Sequence, residues 1–157
     1  MPKYYKKKYY YRGGRDKYSV EQQAGQLDIP SASQAFATVV PSTSIQGMRK
    51  VKHLTISVAG DESVSPGAPG TSYWALVYVP QGTSVNTMSL SGGTGMYEPN
   101  QFVMNCGVFD FSAGPTRISS PVSRNLNSGD SIALIMSNST ATQRNIRYVV
   151  RYAVTLQ

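Results

Sequence analysis

A chain of 157 residues carrying a net charge of +7, with one cysteine, one histidine and eight carboxylates, has the length of one domain plus a short appendage. The lone Cys106 excludes an intrachain disulfide, and a single His with a single Cys excludes both a zinc site of ordinary ligand set and an arguable cysteine–histidine pair. No apolar run approaches the roughly 18 residues of a membrane-crossing helix, and the charged start lacks the apolar stretch of a signal peptide, so a soluble, intracellular product without membrane insertion is expected.

The first seventeen residues, MPKYYKKKYYYRGGRDK, set Lys3, Lys6, Lys7, Lys8, Arg12, Arg15 and Lys17 against Asp16, which accounts for +6 of the total and leaves the other 140 residues at +1. Tyr4, Tyr5, Tyr9, Tyr10 and Tyr11 are interleaved with these cations. Residues 1–23 hold almost no aliphatic side chain, so they are read as a basic, intrinsically disordered arm. Lysine and arginine neutralise phosphates regardless of base sequence, and tyrosine faces stack on unpaired bases. The arm therefore reads as a contact for single-stranded nucleic acid, made by these seven cations and five tyrosines. Seven phosphate contacts would give a salt slope of roughly −5. Lys6, Lys7 and Lys8 with Arg12 and Arg15 also suit a nuclear import receptor. A solvated leader that only confers solubility is the plain alternative.

Residues 24–35 read as a polar linker, and residues 36–157 as the folded body. A β-rich run at 36–40 stops at Pro41. Residues 49–59 alternate, with Leu54, Ile56 and Val58 on one face and His53, Thr55 and Ser57 on the other. The run 73–79 is β-branched and aromatic. The run 101–111 contains Gly107, read as a bulge or bend, and Cys106, read as a small buried hydrophobe. Shorter runs follow at 116–120 and 131–136. The closing run, 145–157, alternates most cleanly: Ile146, Tyr148, Val150, Tyr152, Val154 and Leu156 face one way, and Arg147, Val149, Arg151 and Ala153 the other. Turn-forming clusters separate these seven runs, and no stretch of ten residues has helical periodicity. An all-β sandwich or barrel follows, with an eighth strand sought at 83–91 or 137–143.

Catalytic chemistry finds no foothold. His53 sits alone in a strand, where a structural or interface role is the ordinary one. Asp61-Glu62 read as a solvated loop tip, or as a calcium site between subunits. The run Gly92-Gly93-Thr94-Gly95 lacks the Gly-Lys-Ser/Thr that a phosphate loop requires. Asn138-Ser139-Thr140 matches a glycosylation acceptor. No catalytic residue, metal or cofactor is assigned, and an enzyme is not expected.

The segments 96–103 (MYEPNQFV) and 113–136 (AGPTRISSPVSRNLNSGDSIALIM), with 47–58 (GMRKVKHLTISV) and 73–80 (YWALVYVP), resemble the capsid proteins of circovirus-like viruses, whose small circular single-stranded DNA genomes encode a replication initiator. That resemblance implies a single eight-stranded jelly-roll sandwich and an icosahedral T=1 shell of about sixty copies. It implies an arm directed at an enclosed single-stranded DNA genome, and location in the virion, with assembly in the nucleus of a eukaryotic host. Within such a shell, Arg49, Lys50, Lys52, Arg147 and Arg151 read either as an inner, DNA-facing wall or as ion pairs between subunits. Arg117 and Arg124 read as subunit contacts, and the loops 60–72 and 82–95 as outer surface. The rival reading is a monomeric β-barrel that binds single-stranded nucleic acid, which would carry its cations on the strand face itself. A metal-dependent jelly-roll enzyme would need more than one histidine.

Overall fold

The computed structural model describes residues 18–60, 70–87 and 102–155. Among them are nine strands, β1 (Ser19–Ile29), β2 (Gln34–Val40), β3 (Arg49–Gly60), β4 (Thr71–Val79), β5 (Val103–Asp110), β6 (Thr116–Ser119), β7 (Arg124–Leu126), β8 (Ser131–Ser137) and β9 (Arg144–Thr155), and one 3-10 turn at Val85–Thr87. No helix among the described residues is long and apolar enough to cross a membrane.

The pairing is that of one long hairpin rolled onto itself. β1 pairs antiparallel with β9, β2 with β8, β3 with β6 and β7, and β4 with β5. Rolling then adds β3–β9 and β4–β8, which yields one sheet ordered β1-β9-β3-β6, with β7 also on β3, and a second ordered β2-β8-β4-β5. β6 and β7 lie end to end along the same edge of β3, facing Thr55–Val58 and Arg49–Val51 respectively, so the nine segments fill eight strand positions. This is the jelly-roll sandwich expected from the sequence.

The inner faces meet in one core. Ile146, Tyr148, Val150, Tyr152 and Val154 of β9 pack with Val51, Leu54, Ile56 and Val58 of β3, and opposite them stand Trp74 and Leu76 of β4 and Ile132, Leu134 and Met136 of β8. β8 is buried on both sides, because Ala133 and Ile135 join Ala75, Val77, Val79 and Val85 in a second apolar cluster on the outer face of the four-stranded sheet. Burying a leucine or isoleucine in such a layer contributes about 1.5–3 kcal/mol.

Four sequence expectations need correction. The first strand lies in the segment read as arm and linker: β1 takes residues 19–29, and β2 begins at Gln34. β1 is an edge strand with only Leu27 and Ile29 buried, so its polar side chains carry no core pattern and its place is fixed by the backbone ladder to β9. The eighth strand is therefore neither 83–87 nor 138–143; residues 88–91 lie outside the described part. Gly107 is neither bulge nor bend. It pairs in register with Trp74, and a Cβ there would stand 2.8 Å from Trp74 Cζ2, so the glycine makes room for the indole. Gly25 does the same for the Tyr148 ring. Cys106 is exposed, on β5 at the rim of its sheet.

The irregularity that matters most is in β3. Val51 and Leu54 are both buried although three residues apart, which strict alternation forbids. The β3–β9 register shifts between Lys52 and Thr55, and His53 takes a φ of 53°. His53 is thus the extra residue of a β-bulge, turned outward and exposed, and the strand keeps its apolar side inward before and after it.

Candidate nucleic-acid interface

The outer face of the β1-β9-β3-β6 sheet follows from register and alternation. Arg147, Val149 and Arg151 of β9 are exposed, with Ala153 half-buried beyond them, while their even-numbered neighbours alternate inward to the core. Across the ladder, Lys50 pairs with Thr155, Lys52 with Ala153, Thr55 with Arg151, Ser57 with Val149 and Ala59 with Arg147. Arg117 of β6, exposed, pairs with Ser57. Each of five successive outward-facing rows therefore carries one cation: Lys50, Lys52, Arg151, Arg117 and Arg147.

Rows on one face are two residues apart, or about 6.7 Å along the strand, and the five cations zigzag over three strands within about 10 Å of width. On β1 the same face presents Val20, Gln22, Ala24 and Gln26, and then Asp28 opposite Asn145, one row past Arg147. Asp28 accepts from Gln26 Nε2 at 3.0 Å. It is the one carboxylate with this outward register among the described residues, and it closes the far end of the row.

The near end of the row meets the root of the basic segment. Lys52 Nζ donates to Tyr18 Oη at 2.8 Å and stands 5.0 Å from the centre of that ring. One step along, the Tyr152 hydroxyl donates to the Glu21 carboxylate. Burial, with the Glu21 hydrogen bond and charge adding to it, raises the Tyr152 pKa above its ordinary value, and the nearby Arg49 opposes this weakly. Tyr152 thus remains a donor at any physiological pH and ties β1 to β9 where the chain leaves the sheet.

Lys50, Lys52, Arg147 and Arg151, grouped from the sequence, do share a face; Arg49 does not. Two residues before the buried Val51, it turns to the inner side, where Nη2 donates to Pro41 O at 3.0 Å and Nε is buried without a partner. The bulge causes this split, since it sets the phase of residues 49–52 independently of 54–60. Arg117, which the sequence assigned to subunit contacts, joins the row; only its pairing with Ser57 reveals that. Arg124 lies with its guanidinium carbon 4.3 Å from the centre of the Tyr78 ring of its own chain. Lys3, Tyr4, Tyr5, Lys6, Lys7, Lys8, Tyr9, Tyr10, Tyr11, Arg12, Arg15 and Lys17 lie outside the described residues, as do Asp61, Glu62, the 92–95 glycines and Leu156.

The remaining polar clusters hold the fold. Asp130, buried, accepts from Tyr78 Oη at 2.7 Å, Asn127 N at 2.7 Å and Gln81 N at 3.0 Å. Burial raises its pKa, but these hydrogen bonds together outweigh it and hold the carboxyl below its usual value. Asn138 is also buried: Nδ2 donates to Thr142 O at 2.8 Å and Pro30 O at 3.1 Å, and Oδ1 accepts from Thr140 N at 2.9 Å and Thr140 Oγ1 at 2.7 Å. Its amide is committed to joining the β1–β2 and β8–β9 connections, which conflicts with use as a glycan acceptor. No group of three or more His, Cys, Asp or Glu residues suited to a metal occurs among the described residues.

No protein-family model and no curated protein sequence matches this chain. Among solved structures, it is similar to a chain of tomato aspermy virus, at 12% identity over 88% of this chain and 78% of that one, with a TM-score of 0.50. It also aligns with a chain of the cyanophage Pam1 capsid asymmetric unit, at 16% identity over 88% and 86% of the two chains and a TM-score of 0.39. Disulfide-linked pili that form Bacillus endospore appendages align at 13% identity over 89% and 91%, with a TM-score of 0.38. The first of these shares the fold.

Proposed function

We propose that this chain is a viral shell protein that assembles with copies of itself into a small icosahedral particle and encloses single-stranded DNA, gripped by the Lys/Tyr-rich segment 1–17. The observation that carries this reading is the separation of charge from scaffold: +6 of +7 stands outside a jelly roll that is otherwise near neutral. A two-sheet wedge suits tiling, and a cation-rich leader suits a polyanion, whose phosphates it neutralises regardless of base sequence. The choice of a circovirus-like virus, of DNA over RNA, of T=1 geometry and of nuclear import rests on the sequence resemblance, and no reaction is assigned.

Light scattering and electron microscopy of the purified full chain test it. Closed spheres of about 1 MDa, the mass of roughly sixty copies of a 17.1 kDa chain, are expected. A species that stays at 17.1 kDa across salt and pH overturns the shell. A second reading, a monomeric single-stranded nucleic-acid-binding protein, draws support from the cationic row on the strand face. It predicts that monomer, with full polynucleotide affinity.

A further inference from the structure

We infer that the outer face of the β1-β9-β3-β6 sheet is a second polyanion-binding surface, built for a single nucleic acid strand and joined in sequence to the basic segment; this deepens the proposed function and rests on its nucleic-acid half. The register supplies the argument. One cation per row, with rows about 6.7 Å apart, lays out a line of positive charge that a chain of phosphates can follow. A single strand, free to bend across the face, can set its phosphates against this line of charge while turning its bases toward the sheet. Thr55, Ser57 and Ser119 stand among the cations and offer hydroxyl donors to phosphate oxygens. Exposed Val149, between Arg151 and Arg147, offers an apolar surface to an unstacked base.

The alternative occupant is an acidic patch on a neighbouring copy; among the described residues every carboxylate already accepts a hydrogen bond within its own chain. The chain has eight carboxylates, four of them described. Glu21 takes the Tyr152 hydroxyl, Asp28 the Gln26 amide, Asp110 the Ser112 N–H and hydroxyl at 2.8 and 2.7 Å, and Asp130 Tyr78 with two backbone N–H groups. The entry to the row is also marked. Tyr18, the residue that follows the basic segment in sequence, presents its ring and hydroxyl oxygen to Lys52 at the end of the row.

The test is the salt dependence of binding to a short oligo-dT strand, measured by fluorescence anisotropy on the full chain. The comparison is between the parent and a triple variant, Lys52→Gln, Arg117→Gln and Arg151→Gln. Losing three single-strand contacts should make the slope of log K against log salt shallower by about 2, and an Arg117→Lys, Arg151→Lys variant, which keeps the charge, should retain the parent slope. A triple variant with the parent melting temperature and the parent slope overturns the inference. So does one that loses particle assembly while its slope is unchanged, because the face would then serve a neighbouring copy. If the triple variant misfolds, Arg117→Gln and Arg151→Gln singly, each expected to remove about 0.7 from the slope, decide the matter. Failure here is separable from failure of the shell: spheres with an unmoved slope leave the shell standing, and a monomer with a shifted slope leaves the face standing.

Discussion

Deleting His53 from the middle of the twelve-residue strand β3 should leave the sandwich folded, because it removes the extra residue that breaks the alternation. Val51 points inward, Lys52 outward, His53 outward and Leu54 inward, so removing His53 restores plain alternation and matches Lys52, Leu54 and Thr55 to Ala153, Tyr152 and Arg151 in order. The deletion also removes a Cβ-bearing residue at a φ of 53°, a conformation that costs such a residue about 1–2 kcal/mol. The expected stability order in the full chain is His53→Gly above the parent by up to about 1 kcal/mol, the deletion within about 1 kcal/mol of the parent, and His53→Val below it by about 1–2 kcal/mol. Thermal melts followed by circular dichroism and by fluorescence of the buried Trp74 report this, at about 2–4 °C per kcal/mol for a chain of this size. If His53 were an ordinary member of the ladder, its deletion would expel Val51 and turn Lys50 and Lys52 into the core. A loss beyond about 3 kcal/mol, or loss of the cooperative transition, would refute the reasoning.

Three other perturbations bear on the same framework. Asn138→Ala removes the buried amide that bridges Pro30 O and Thr142 O and should cost about 2 kcal/mol in urea unfolding; correspondingly, folded protein made in a glycosylating host should carry no glycan at Asn138 by mass spectrometry. Because the Asp130 pKa is lowered on folding, its contribution is complete above the ordinary carboxylate range and disappears as pH falls through the folded value. Acid unfolding below about pH 4 should therefore be blunted in Asp130→Asn, whose stability at neutral pH should be lower by about 2 kcal/mol because its amide faces backbone N–H donors. Gly107→Ala places a methyl group against the Trp74 ring and should cost about 1–3 kcal/mol, with a shift in tryptophan emission; unchanged emission and stability would mean that the indole has room to spare.

Most strand-bearing stretches were legible because their burial is written locally. The β9 stripe from Ile146 to Val154 and the β3 stripe from Leu54 to Val58 alternate in the sequence as they do in the sandwich. β1 was not legible for a physical reason: an edge strand of Ser, Glu, Gln and Gly owes its position to hydrogen bonds with β9, and those leave no trace in side-chain hydropathy. Cys106 misled in the opposite direction, since a residue type that is usually buried stands on an outward-facing edge strand.

The sequence alone determined the all-β architecture and the concentration of charge in the first seventeen residues, because composition and short-range alternation depend on neighbours along the chain. Tertiary structure alone decided which cations share a surface. Lys50 and Lys52 reach the outer face while Arg49 turns inward, because a single extra residue at His53 sets their phase. Arg117 arrives from sixty residues away in the sequence through its pairing with Ser57. Register between strands is a long-range property, fixed by how two faces close over one core, and the row of charge exists only once that closure is made.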